Sequence, residues 1–470
     1  MVQRFMSIST EISPVDPRSA PRRAPVSREA RYRAAERAAR RRSAARTDLI
    51  VAAAAVLLAV PTGLIGLAIA AMGAMALLTI RAAWLWAAAV RRRRASQPLA
   101  VARPPRRRWP SPQMRVMRTA TIAALLTLIL ASISFAQALT ARSDSALPIR
   151  AVEWARDNGA QSLVSSVEGF YYTLTAPGTG GPGLKRLPGA GVAGSSADAR
   201  LGPPDIPPAI HPRLPGEGVW HPTQLRYSRA DAPVLVTTLR PDPNYPRVVA
   251  GVASINPRRA SIALYPGLKE PGGGIGPAEV PAADRSHLLA TFNSGFKHAD
   301  SHGGFYAAGR LFQPLTPGQG TIVGNTDGSV DVRAWTGGSR PGPGISFARQ
   351  NLPLIVAGGQ PNPALGDSSK WGVTLGNSVL VWRSGVGVDR HGNLIYAAAN
   401  YQSARSLARL LIRAGAVRAV QLDINSYWVS FNLFRGAGGL APEKLLKDST
   451  RSATRYLTQD DRDFFAVYSR

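Results

Sequence analysis

The sequence predicts an α+β protein: a mixed or antiparallel sheet domain with few helices, preceded by three transmembrane helices. Three observations carry this expectation. From residue 216 onward, short β-branched or apolar runs alternate with Pro, Asp, Asn and Gly turns. Only one stretch there, Ser403 to Ala414, has clear helical periodicity. The first 140 residues, in contrast, hold uncharged apolar runs long enough to cross a bilayer.

The chain has 57 Lys+Arg against 28 Asp+Glu. Of these, 23 bases and 5 acids precede residue 141, a net charge of +18 against +11 for the remaining 330 residues. Residues 1–47 mix Arg, Ala, Ser and Pro with few apolar anchors. Such a composition does not bury enough surface to offset chain entropy, so a disordered basic arm is expected. No aromatic stacking platform accompanies its arginines, so nucleic acid is not an expected partner.

Residues 48–140 read as the membrane region. Leu49 to Val90 is interrupted by one charge, Arg81. At about 42 residues it is twice the length of one crossing. Pro61, Gly63, Gly66 and Gly73 offer breaks, giving spans at about 49–69 and 70–90. Thr119 to Thr140 is a third uncharged run. Between them, the loop 91–118 carries Arg91 to Arg94 and six further arginines. Short Arg-rich loops stay in the cytoplasm. With arm and loop both inside, an even number of crossings separates them and the third span leads out. The expected location is the cell membrane, multi-pass, with a cytoplasmic amino terminus, the lipid bilayer as a partner and residues 141–470 extracytoplasmic.

Cysteine is absent, which favours a bacterial envelope protein without disulfide stapling. Residues 141–215 divide into juxtamembrane helices and a linker. Pro148 to Leu174 has an apolar face at Ile149, Val152, Trp154 and Ala155, broken at Asn158-Gly159; Trp154, Tyr171 and Tyr172 suit a membrane interface. Residues 176–216 are rich in Gly, Pro, Ala and Ser. The domain 216–470 is long enough for one core without staples.

Within that domain, strands are expected at Val234–Leu239, Arg247–Ile255, Ala260–Tyr265, Leu288–Phe292, Gly320–Gly324, Ser329–Trp335, Asn351–Ala357, Trp371–Leu375, Ser378–Trp382, Leu394–Ala398 and Val417–Leu422. Asn325-Thr326-Asp327-Gly328 marks a hairpin. In the 403–414 helix, Leu407, Leu410, Leu411 and Ala414 form the buried stripe and Arg405, Arg409 and Arg413 the solvated face, with Gly415 as the stop.

Candidate site residues cluster at strand ends. Asn293-Ser294-Gly295-Phe296 closes one strand, and Leu422-Asp423-Ile424-Asn425 closes another. Alternation along the second directs Val420, Leu422 and Ile424 to the core and Gln421, Asp423 and Asn425 to the opposite face. Asp423 is thus a candidate catalytic carboxylate, or a turn cap. Arg383, followed by Ser384 and a Gly-rich stretch, suits bidentate binding of a phosphate, or an ion pair with Asp423. Asn293 either bonds a sugar hydroxyl or fixes its own loop. If extended, His298, Asp300 and His302 would share one face as half of a metal site. No cysteine is available to complete it, no cofactor is expected, and metal dependence stays open. Asp389 reads as a hairpin residue. No Ser-centred nucleophile elbow, phosphate-binding P-loop or dinucleotide fingerprint is present.

In order, Asn293-Ser294-Gly295-Phe296, Ile355-Val356-Ala357-Gly358-Gly359-Gln360-Pro361, Arg383-Ser384-Gly385-Val386-Gly387-Val388 with Asp389 to Asn393, and Gly415-Ala416-Val417-Arg418-Ala419-Val420-Gln421-Leu422-Asp423 resemble the motif series of the phosphodiester glycosidase family. Within that family, the membrane anchor is similar to an actinobacterial subgroup. The resemblance covers about residues 230–435. It departs after Leu422-Asp423, where Ile424-Asn425-Ser426-Tyr427-Trp428 replaces the family's Gly-Gly-Gly-Ser. The resemblance implies hydrolysis of a sugar-1-phosphodiester of the cell envelope. Arg383 and Asp423 would be catalytic, and Asn293, Gly295, Phe296, His298, Ser384 and Asn425 would bind substrate. The expected partner is an envelope glycan or glycosyl-phosphate. The altered segment keeps a second reading open, a non-catalytic, membrane-tethered glycan-binding protein.

Overall fold

The computed structural model describes residues 126–470 apart from 128, 142, 144, 161–163, 165–176, 181–182, 192–201, 273–275, 373–379 and 436–440. The basic arm, the 49–69 and 70–90 spans and the 91–118 loop lie outside the described residues, as does the start of the 119–140 span. Residues 129–140 are helical, and Leu126, Ile129, Leu130 and Ile133 are more than half exposed. No helix among the described residues is long and apolar enough to cross a membrane.

The strands in chain order are β1 (His221–Pro222), β2 (Val234–Leu239), β3 (Ala250–Ile255), β4 (Ala260–Tyr265), β5 (Leu288–Asn293), β6 (Phe305–Ala307), β7 (Arg310–Gln313), β8 (Gly320–Asn325), β9 (Val330–Ala334), β10 (Ile345–Gln350), β11 (Val356–Ala357), β12 (Gln360–Pro361), β13 (Val381–Asp389), β14 (Leu394–Gln402), β15 (Ala416–Gln421), β16 (Phe431–Arg435), β17 (Ala441–Lys444) and β18 (Phe464–Ser469). Beyond the helix over residues 129–140, the α-helices among the described residues include α1 (Leu147–Ala155), α2 (His298–Ser301) and α3 (Ala404–Arg413).

The strands form an eight-stranded sheet, β1-β2-β3-β14-β13-β15-β11-β12, and two five-stranded sheets, β7-β6-β10-β8-β9 and β17-β16-β5-β18-β4. Every pairing among the described residues is antiparallel. Side chains alternate across a strand, so the eight-stranded sheet buries two faces. Val236, Ile255, Val386, Tyr396 and Val420 pack against Phe292, Phe431 and Phe465 of one smaller sheet and Ile322, Val332 and Phe347 of the other. On its opposite face, Leu235, Val252, Ile395 and Ala397 meet Leu407, Leu410 and Leu411 of α3. Burying each of those leucines stabilises the fold by ~1.5–3 kcal/mol.

The helix α3 starts where the sequence places it. Ser403 Oγ accepts the Ser406 N–H at 3.0 Å and Ser406 Oγ accepts the Ser403 N–H at 2.9 Å, a reciprocal capping box. Gly415, at φ +102°, ends it. The predicted break at Asn158-Gly159 is also present, with Gly159 at φ +85°. Asp389 Oδ1 accepts the His391 and Asn393 N–H groups and shapes the β13–β14 hairpin.

Several strands, β1, β6, β7, β12, β16 and β17, are not expected from the sequence, and two further differences bear on the site. The Asn351–Ala357 strand is displaced: β10 lies over Ile345–Gln350, and only Val356–Ala357 pair further on. The polar Arg349 and Gln350 are buried in it by tertiary partners that local patterning does not reveal. No strand is expected over Phe464–Ser469, yet β18 lies between β5 and β4. The described parts of the 176–216 segment pack on the domain, with Leu187 and Ile206 buried. Arg240 holds that segment through Glu217 Oε2 at 2.7 Å and the Ile210 and Pro212 carbonyls.

Candidate active site

The end of β5 is a fully bonded corner. Asn293 Oδ1 accepts from the Ser430 N–H at 3.0 Å and the Tyr396 hydroxyl at 3.1 Å. Its Nδ2 donates to Ser384 Oγ at 3.0 Å and to the Ser294 carbonyl at 2.8 Å. Asn293 therefore fixes its own loop and ties β5 to β13 and β14. The next residue but one must be small: a Cβ on Gly295 would stand 2.9 Å from Asn351 Nδ2. Phe296 packs with Val381 and Ile424. The Arg349 guanidinium, ion-paired with Asp463 at 2.7 Å, donates to the Phe296 carbonyl at 2.6 Å.

The β13–β15 register slips beyond Gln421. Gly385 opposes Gln421 and Val386 opposes Val420. Then the Leu422 N–H donates to the Ser384 carbonyl at 2.8 Å, while the Ser384 N–H donates to the Asp423 carbonyl at 3.0 Å. Two residues thus face one, as in a bulge, and a bulge re-aims the side chains that follow it. The expected common face of Gln421, Asp423 and Asn425 is broken there. Gln421 turns toward Trp371 and Arg383, whereas the Asp423 carboxylate meets Arg462.

Arg383 and Asp423 consequently have separate partners. Arg383 is 1% exposed. Its Nε donates to the Gln402 carbonyl at 2.8 Å, and its Nη1 to Gln421 Oε1 at 2.7 Å and the Trp371 carbonyl at 3.2 Å. Burial lowers its pKa to about 10. Ser384 lies on the other side of β13 and donates its hydroxyl to the Asp423 carbonyl at 3.1 Å.

Asp423 is 4% exposed. Its Oδ2 accepts from Arg462 Nη2 at 3.0 Å and its Oδ1 from the Asn425 N–H at 2.9 Å. Asn425 Oδ1 in turn accepts the Tyr427 N–H at 2.9 Å and closes the turn. Burial raises the Asp423 pKa; Arg462 and the turn's N–H groups oppose that rise, and the charge of Asp300 adds to it. The pair is thus a buried carboxylate that can hold a proton beside a permanent cation. Arg462 remains charged because Asp423, Asp463, Glu270 and Glu153 outweigh its desolvation.

Sequence reasoning missed Arg462. The only local signal is the run Asp460-Asp461-Arg462-Asp463 before the aromatic Phe464-Phe465, charges a buried strand would have to satisfy. The strand β18 pairs Phe464 with Asn293 and so sets Arg462 beside the Asn293–Phe296 turn. Arg462 Nη2 also donates to the Gly295 carbonyl at 2.8 Å, while its buried Nε has no hydrogen-bond partner. Its guanidinium lies 5.0 Å from the Trp428 ring centroid. Trp428, in the segment that follows Leu422-Asp423, therefore supplies the bed for this arginine.

Arg462 borders a cavity of about 400 Å³, which Lys269, Lys297, Glu270 and Asp461 also line. Other lining residues come from the 129–140 helix and the residue after it, Ala138 and Ala141, and from α1 and the turn after it, Arg150, Glu153, Trp154 and Asp157. Lys297 reaches Glu153 at 3.9 Å and Asp157 at 3.7 Å, and Lys269 reaches Asp461 at 3.1 Å. Ser143 Oγ donates to Asp461 Oδ2 at 2.6 Å, and the Tyr427 hydroxyl accepts the Ala146 N–H at 3.1 Å. Arg150 gathers the carbonyls of Leu139, Ala141, Ser143 and Ser145. That clasp fixes α1 to the helix before it.

His298 begins α2, with its Nδ1 3.0 Å from the Gly303 carbonyl and its N–H donating to Glu270 Oε2 at 3.2 Å. The segment is helical and His302 sits at φ +51°, so His298, Asp300 and His302 do not share the extended face expected of a metal half-site. Among the described residues no group of three or more His, Asp or Glu side chains is placed to hold a metal ion.

No model of a known protein family matches the chain, and no curated protein matches it. Solved structures to which it is similar include the following three. One is the catalytic domain of zebrafish N-acetylglucosamine-1-phosphodiester alpha-N-acetylglucosaminidase, auto-inhibited by its pro-peptide, with a TM-score of 0.33 and 17% identity over 50% of this chain and 82% of that one. A hypothetical protein from Synechocystis gives a TM-score of 0.31 and 15% identity over 52% of this chain and 65% of that one. A putative exported protein from Burkholderia pseudomallei gives 0.28 and 12%, over 48% and 75%.

Proposed function

We propose that this chain is a membrane-anchored extracytoplasmic hydrolase that cleaves a sugar-1-phosphodiester of the cell envelope. The observation that carries this reading is the Arg462–Asp423 pair beside a cavity whose other cations are Arg150, Lys269 and Lys297. Arg462 lines that cavity, where its guanidinium could meet a phosphate oxygen, whereas Arg383 is bonded to Gln421 and Trp371. Water adds its oxygen to the anomeric carbon. The bond from that carbon to the phosphate oxygen breaks with its electron pair going to the phosphate, and the proton lost by water ends on the phosphate monoester. Asp423 stabilises the oxocarbenium-like transition state or takes that proton first. A phosphate leaves without prior protonation, so the chemistry does not require His298 as an acid.

One observation favours the second reading, a glycosyl-phosphate-binding protein. Asp423 stands behind Arg462, 4% exposed, so the cavity meets the arginine before the carboxylate. Incubating the full chain with a panel of sugar-1-phosphodiesters and measuring released sugar decides between them. Release that vanishes in Asp423→Asn supports the hydrolase. Saturable retention of the probes with no release supports the binding protein.

A further inference from the structure

We infer that the phosphate in this cavity is esterified to a membrane lipid, so that the substrate is a glycosyl phosphate whose apolar anchor stays in the bilayer. This rests on the hydrolase reading above and names the non-sugar end of its substrate.

The first ground is position. One wall of the cavity is Ala138 and Ala141, at the carboxyl end of the helix 129–140. Earlier in this segment, Leu126, Ile129, Leu130 and Ile133 are more than half exposed. Their spacing of three, four and seven places them on one helical face. They belong to the uncharged run Thr119 to Thr140, long enough at about 1.5 Å per residue to match a hydrocarbon core. At that length a span over Thr119 to Thr140 ends at the hydrocarbon edge about where Ala138 and Ala141 stand, which would set this wall of the cavity at the headgroup layer.

The second ground is rigidity. Trp154 Nε1 donates to Ser134 Oγ at 3.0 Å, and the Trp154 and Phe135 rings meet edge to face at 4.9 Å. With the Arg150 clasp, these contacts fix α1 and hence the cavity wall against the helix.

The third ground is charge. Arg462, 6% exposed, lines the cavity together with Arg150, Lys269 and Lys297. The Lys297 ion pairs are long, and Lys297 and Lys269 can each exchange a carboxylate for an incoming phosphate. The lining also holds Glu153, Asp157, Glu270 and Asp461, which suit hydroxyls of a sugar as acceptors. A cavity with cations for a phosphate and acceptors for a sugar, walled in part by the end of a helix with an exposed apolar stripe, fits the three parts of a lipid-borne glycosyl phosphate.

The test uses the full chain in bilayer nanodiscs and two probes carrying the same hexose-1-phosphate. One is esterified to a long-chain isoprenoid alcohol inserted in the bilayer, the other to methanol. Sharing the bilayer raises effective concentration, so cleavage of the lipid probe is expected to exceed that of the methyl probe by about tenfold or more, with the phosphate retained on the nanodisc. Equal or faster cleavage of the methyl probe overturns the lipid assignment and leaves the hydrolase standing. Cleavage of neither overturns the hydrolase reading, and the lipid assignment with it.

Discussion

The Asp423 carboxylate and the Arg462 guanidinium meet at 3.0 Å, Oδ2 to Nη2, although 39 residues separate them in the chain. One Nη2 serves both Asp423 and the Gly295 carbonyl, so a single side chain joins the two strand-end motifs. A lysine lacks the planar guanidinium that reaches both acceptors while lying against the Trp428 ring. Arg462→Lys is expected to cut kcat/KM by about 10-fold or more, in keeping with ~1.5–3 kcal/mol for a charged hydrogen bond. Unchanged kinetics in the folded variant would remove Arg462 from the site.

Asp423→Asn keeps the shape of the side chain but removes the charge that an oxocarbenium-like transition state needs. The expected loss is about 100-fold or more in kcat. Full activity would show that the carboxylate serves only the turn with Asn425.

The same carboxyl group predicts a pH signature. Its folded-state pKa lies above the ordinary 3.8 because burial outweighs Arg462. The folded protein therefore holds this proton more tightly than the unfolded chain. Its contribution to stability is greatest at low pH and declines as pH rises from 3.8 through the raised value. Melting temperatures of the wild type and Asp423→Asn, compared across that window, should converge or cross as pH rises. Parallel curves would contradict the raised pKa. Activity, which needs the ionised form, should have its acid limb above 3.8.

Arg383→Lys tests a different kind of role. Arg383 is bonded to Gln402, Gln421 and Trp371 inside the protein. The variant is expected to lose ~1–3 kcal/mol of stability, because buried acceptors are left unmet, with a smaller effect on kcat/KM than Arg462→Lys. A folded, equally stable variant that no longer binds sugar phosphates would instead place Arg383 against the ligand.

Gly295→Ala would drive a methyl group against Asn351, whose Nδ2 donates to the Gln421 and Leu422 carbonyls. Overpacking of this kind costs ~1–3 kcal/mol, and a lowered melting temperature should accompany reduced activity. A neutral substitution would show that the turn has room to shift.

The orientation of the chain is open to a direct measurement. A reporter fused after Arg470 is expected to be active only when its fluorescence or enzymatic activity requires the extracytoplasmic side. Activity of a cytoplasm-only reporter at that position would reverse the placement read from the arginine asymmetry.

The sequence disclosed what depends on local chemistry. The run Val234–Leu239 is β2, and Ser403 and Gly415 bound α3 because caps and stops act over a few residues. Asn293 and Asp423 were legible as strand-end residues for the same reason. Arg462 was not, because its meaning comes from Gly295 and Asp423, brought to it by β18. The slip at Leu422-Asp423 was equally hidden, since period-two alternation contains no signal for an inserted residue. Burial of Arg383 depends on Trp371, Gln402 and Gln421 together, a condition no single motif expresses.

The Arg150 clasp, with four carbonyls gathered by one guanidinium between the helix and α1, changes how the protein would meet its substrate. A flexible tether lets a catalytic domain sample a hemisphere tens of ångströms deep. With this joint locked, a helix seated in a bilayer as proposed would hold the cavity at a constant height above the plane. Encounter then becomes a two-dimensional search, set by the lateral diffusion and surface density of both partners rather than by bulk concentration.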